Sequence, residues 1–146
     1  MPIRWHFDPH SRVLASVASG RIAPQEIHAF VDDVEPMAVA QQVVAHLHIS
    51  AEATPDLLKL GELTGVAQRI QRLLRVMPTP WFPNAIIATS AVQYGVTRMV
   101  LGLIGDDAPV EAFRDIAAAA AYARVDPALA QQLLDTVLPE RSSGAA

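Results

Sequence analysis

The chain has no cysteine and only one lysine, Lys59. The first absence excludes disulfides, thiol nucleophiles and cysteine-ligated metals, each of which needs a sulfur that is missing. An excess of positive charge is missing too: the formal net charge is −4, which argues against a nucleic-acid partner gripped through many phosphate contacts. Arg69, Arg72 and Arg75 recur every third position in a helical stretch and read as a solvated helix face. No window reaches the roughly 18 uninterrupted apolar residues of a membrane helix. The best candidate, Ala85 to Gly105, is broken by Gln93 and Arg98, so no integral membrane insertion is expected. The sequence also lacks both glycine-rich phosphate loops, the Gly-x-Ser-x-Gly elbow and His-Glu-x-x-His. It therefore assigns no catalytic residue, no metal and no cofactor.

What is present suits one domain: 146 residues can bury one hydrophobic core. Apolar residues make up 51% and charged residues 18%, more apolar than an average soluble chain. Some of that surface is expected to be shared, either with a second copy in a homodimer or with another protein. Arginine in place of lysine, with abundant alanine, suggests a bacterial GC-rich genome. The start, Met1-Pro2-Ile3-Arg4-Trp5-His6, lacks the basic-then-apolar layout of a secretory signal, and the expected location is the cytoplasm.

Periodicity supplies the elements. Ile3, Trp5 and Phe7 alternate with polar residues, Asp8-Pro9-His10-Ser11 turns, and Val13, Ala15 and Val17 resume the alternation, which predicts an antiparallel hairpin ended by Gly20. Pro24 opens a helix with Ile27, Phe30, Val31 and Val34 on one face, closed by Pro36. Asp32, Asp33 and Glu35 fall on its polar side. Val43 to Ile49 reads as a strand. Thr54-Pro55-Asp56 then caps a long helix from about Pro55 to Val76, striped by Leu60, Leu63, Ile70, Leu73, Leu74 and Met77, with Gly61 and Gly65 weakening its middle. Pro78, Pro80 and Pro83 stiffen a connector.

Ala85 to Thr89 reads as a buried strand, and Ser90 caps a helix that turns Val92, Val96, Met99, Val100 and Leu103 inward and stops at Gly105. Val110 to Phe113 is the last strand. Asp115 caps an alanine-rich helix ending near Arg124, and Asp126-Pro127 starts another through Val137. The grammar is that of an α/β fold: a mostly parallel five-stranded sheet with an antiparallel N-terminal hairpin at its edge and crossover helices. Residues 1–125 form that domain, 126–138 an additional helix, and 139–146 a flexible tail.

The stretch from Asn84 through Tyr94-Gly95 to Met99, followed by Ala108-Pro109-Val110-Glu111-Ala112-Phe113-Arg114-Asp115-Ile116 and the alanine-rich helix, resembles the SpoIIAA-like proteins of the STAS type. Ala18-Ser19-Gly20-Arg21-Ile22 fits the same pattern. The resemblance spans roughly Ile3 to Arg124 and leaves the last helix outside. It implies the fold, and a non-enzymatic module that docks a partner or self-associates. In the anti-sigma-factor antagonists of the wider family, a serine opening the helix after the third strand is phosphorylated. The matching stretch here runs from Ile49 to Asp56, which makes Ser50 and Thr54 the candidate phosphorylation sites. The Asp-Ser-Ser-Gly-like motif is absent, and Thr54 has a simpler use as a cap.

Further candidates come from spacing. His46 and His48 share one strand face with Val44 and Ser50, a placement suited to ligand binding or, with His6 as a third ligand, to a metal. Ser90, Tyr94 and Arg98 fall at four-residue steps along one helix side and suit an anionic or amphipathic small molecule, unless Ser90 caps, Tyr94 packs and Arg98 pairs with a carboxylate. Trp81 and Phe82 in the proline connector, and Leu129 and Leu133 on the last helix, are the expected partner contacts. The leading expectation is the interaction module; the alternative is a carrier or sensor for a lipid-like or anionic ligand, since folds related to the one implied include lipid-transfer domains.

Overall fold

In the computed structural model, which describes residues 3–54, 60–78 and 80–138, the alternating patterns become β1 (Ile3–Asp8), β2 (Val13–Arg21), α1 (Pro24–Val39), β3 (Ala45–Thr54), α2 (Leu60–Val76), β4 (Asn84–Ala88), α3 (Ala91–Ile104), β5 (Val110–Phe113), α4 (Ile116–Ala123) and α5 (Pro127–Val137). Asp8 makes the first turn: its carboxylate accepts from the backbone N–H groups of His10 and Ser11, at 3.4 and 3.1 Å, and from the Ser11 hydroxyl. The strands form one mixed sheet in the order β1-β2-β3-β4-β5. β1 is the antiparallel edge and every later pair is parallel.

Three successive parallel crossovers of one hand set α1, α2 and α3 side by side on one face of the sheet. α4 and α5 return across the other face. Their caps are those read from the sequence: Asp115 accepts from Ala118 N–H at 2.8 Å and Asp126 from Leu129 N–H at 3.1 Å. Between the two helices, Arg124 takes the left-handed conformation. Alanines at 119, 120 and 123 let α4 approach the sheet closely. With Leu133, Leu134 and Val137 of α5 they bury Val13, Ala15, Val17, Ala45, Leu47, Ile49, Ala85 and Ile87 in one continuous core.

Several expectations are corrected. Pro36 does not close α1, which continues to Val39. The proline lacks one N–H and a single turn follows it, so little is lost while Val34 and Ala38 keep the buried face going. β3 starts two residues later than expected and runs five further, to Thr54, because its second half pairs with the long β2 through Ala18↔Ser50, Ser19↔Ala51 and Arg21↔Thr54; tertiary pairing overrides weak local propensity. Ser50 is thus a mid-strand residue and Thr54 a strand end. The expected helix start at Pro55 and the tail 139–146 lie outside the described residues. α3 is turned from the expected face: Val96 and Val100 face the interior as expected, but Val92 and Met99 are 66% and 49% exposed and Leu103 is also exposed, while Gln93 and Ile104 are buried. Leu133 belongs to the domain's own core and not to its surface.

Candidate functional site

α2 packs against α1 and α3 and, among the described residues, approaches no strand. The space beneath it is a cavity of about 310 Å³, floored by the sheet and roofed by the three helices. Its walls are apolar: Phe30, Val34, Leu73, Leu74, Val100 and Ile104 are typical of them. No charged side chain lines it among the described residues. Its polar groups are few and sit mainly on the sheet, where His46, His48, Ser50 and Asn84 form a patch of the floor.

The register makes that patch. Ser16 lies opposite His48 across the β2–β3 pair, and Asn84 opposite His46 across β3–β4. Four side chains from three strands therefore share one face and join in a chain. Asn84 Nδ2 donates to the Phe82 carbonyl at 3.2 Å. Asn84 Oδ1 lies 3.0 Å from His46 Nδ1, His46 Nε2 lies 2.7 Å from Ser16 Oγ, and Ser16 Oγ lies 2.7 Å from His48 Nδ1. The Phe30 ring stands 5.8 Å from the His46 ring. Both imidazoles keep some accessible surface, and since both line the cavity that surface faces the internal space. Loss of hydration holds both neutral. It drives His46 down to about 4, against the opposing effect of the Asn84 hydrogen bond. It drives His48 down to about 3, helped by repulsion from His46.

Ser16, His46 and Asn84 reproduce the connectivity of a serine nucleophile, its base and an orienting amide. The chemistry does not follow, because Ser16 is 0% exposed and does not reach the cavity wall, so no substrate carbon can approach its oxygen. The chain holds the two rings in place. His6 pairs with Ala15 and so points to the other face of the sheet from His46 and His48. It adds no third metal ligand to them.

The helix constellation is engaged elsewhere in the fold. Ser90 accepts from Gln93 N–H at 3.1 Å as the cap of α3. Tyr94 sits beneath the Arg114 guanidinium, 5.9 Å from its ring centroid. Arg98 pairs with Glu111 at 3.2 Å, both exposed. None of the three lines the cavity. Phe82 packs with Leu14, Val34 and Val43 and lines the cavity. Trp81 is half-buried, with its indole N–H buried and unpartnered, beside a second hollow of about 670 Å³ that includes Tyr122, Arg124, Asp126 and Leu129. Leu129 packs on the α5 side of the core. Arg69 is not a solvated residue: 14% exposed, it ties α2 to α1 through Asp32 at 2.7 Å and Glu35 at 3.0 Å.

Ser16 and Asn84 escaped the sequence reading. The available signal was faint: each is a polar residue on the inward face of an apolar strand, in register with a histidine. No helix among the described residues is long and apolar enough to cross a membrane. The chain matches no protein-family model and no curated protein sequence.

Proposed function

We propose that this protein binds a small, largely apolar molecule in the cavity between the sheet and α1–α3, as a carrier or sensor. The observation that carries the reading is the pairing of a largely apolar cavity of about 310 Å³ with the polar patch on its floor, Gln93 and Thr97 of α3 being its other polar groups; apolar walls with a few placed polar groups are the usual anatomy of a small-molecule site. The volume suits a ligand of roughly ten to fifteen non-hydrogen atoms. Anionic ligands fit poorly, since no cation lines the walls among the described residues and both imidazoles are held neutral. The SpoIIAA-like kinship is carried as part of the same proposal, supported by the antiparallel edge, the parallel crossovers and the capped helix at Ser90. Native mass spectrometry of freshly purified protein tests the reading. A carrier shows a mass increment that disappears on denaturation; the bare chain mass in every preparation, from several growth conditions, counts against it.

A second reading, a self-associating or partner-docking regulatory module, is favoured by one observation. Val92, Met99 and Leu103 form an exposed apolar stripe along α3. Sedimentation at high concentration separates the two, because Met99→Glu dissociates a dimer built on that stripe and leaves a carrier unaffected.

A further inference from the structure

Hydrogen-bond direction along the floor of the cavity carries information that distances alone do not. The Phe82 carbonyl can only accept, so the side-chain amide of Asn84 must turn its nitrogen to it, at 3.2 Å. Oδ1 of Asn84 then faces His46 and can only accept, which places the His46 proton on Nδ1. A neutral imidazole carries one proton, so His46 Nε2 is a lone pair and must receive the Ser16 hydroxyl hydrogen across 2.7 Å. Ser16 has no second hydrogen. Its contact with His48, also 2.7 Å, is therefore donated by His48 Nδ1–H. That leaves His48 Nε2 without a proton. Any other neutral arrangement sets two lone pairs or two hydrogens against each other somewhere in the chain.

We infer that His48 Nε2 is a fixed hydrogen-bond acceptor on the cavity floor, and that the ligand is a neutral molecule presenting a hydroxyl group to it. The inference rests on the proposed reading of the cavity as a ligand site. Among the described residues no donor reaches Nε2, and the atom is not sealed from the internal space. Ser50, two residues along β3 and on the same face, also lines the cavity. Its hydroxyl can donate to the ligand oxygen while the ligand's own hydrogen goes to His48. An alcohol satisfies both groups; an ether or ketone leaves the acceptor unmet, and a carboxylate sets negative charge against a lone pair in a cavity that no cation lines among the described residues.

Calorimetric titration at pH 8 with three probes of matched chain length tests this: decan-1-ol, its isomer nonyl methyl ether, and decanoate. The wild type is expected to hold the alcohol at least roughly tenfold more tightly than either of the others, the worth of one buried hydrogen bond. His48→Phe is expected to keep the ether and lose the preference for the alcohol. A two-bond proton–nitrogen spectrum of the wild type gives an independent readout, with both rings expected to be protonated at Nδ1 only. Equal or tighter binding of ether or decanoate, or a proton on His48 Nε2, overturns the acceptor assignment while the cavity reading stands. Failure of all three probes to bind the wild type overturns the cavity reading and the inference together.

Discussion

Along β3, Ala45, Leu47 and Ile49 turn toward α4 and α5 and are buried, whereas His46, His48 and Ser50 turn toward α1–α3 and keep accessible surface. One strand thus serves two environments through nothing more than the alternation of its side chains. On the first side small residues on α4 let backbone approach backbone, and the space closes. On the second, α2 bridges α1 and α3 without descending to the sheet, and the space stays open. The packed face supplies the stability that a domain needs, which frees the other face to hold a cavity and a buried polar chain, both of which cost stability.

Truncation separates the two faces by the widest margin. Leu134 is 0% exposed in the packed core, and Leu134→Ala is expected to cost about 2–5 kcal/mol in urea unfolding. Leu74→Ala, at the cavity wall, removes a side chain that is only partly buried and so has less apolar burial to lose; it is expected to cost less, about 1–2 kcal/mol. Equal costs would mean that the two faces are packed alike.

Acid acts on the histidine face. The histidines ordinarily titrate near 6.5 and in the fold are held at about 4 and about 3. Between these values the unfolded chain takes up protons that the folded one refuses, so stability is complete above about pH 6.5 and falls as the pH drops toward 4. Because only the wild type carries His48, its urea midpoint is expected to fall more steeply than that of His48→Phe as the pH drops from about 6.5 toward 3. Midpoints that fall in parallel would show that His48 is not kept neutral by its surroundings.

Enlargement gives the smallest contrast. Ala120→Leu overfills the packed face and is expected to cost about 1–3 kcal/mol. Val100→Phe grows into the cavity and is expected to lie within about 1 kcal/mol of wild type in thermal denaturation, while abolishing retention of decan-1-ol.

Much of the packed face is legible in the sequence. Asp115 and Asp126-Pro127 announce α4 and α5 at the positions they occupy, and Val13, Ala15 and Val17 mark the inward side of β2. α3 is misread because it is apolar nearly all round; with Val92, Met99 and Leu103 as available as Val96 and Val100, periodicity cannot choose a side. The pairing of His46 with His48 on one face follows from strand period alone, but their depth does not, since it depends on α2 arching over them. An apolar stripe on a helix states that it faces away from water; it does not state whether it meets a sheet or a cavity. Ser16 and Asn84 become partners of the histidines only through register between strands, and one sequence carries little trace of that.

Methyl-resolved NMR during titration with decan-1-ol shows which side of the sheet takes the ligand. Shifts and ligand contacts are expected at Leu14, Val34, Leu74 and Val100, with Val17, Leu47 and Leu134 unmoved. Saturable shifts centred on the second set, or none at either, would contradict a ligand site between the sheet and α1–α3.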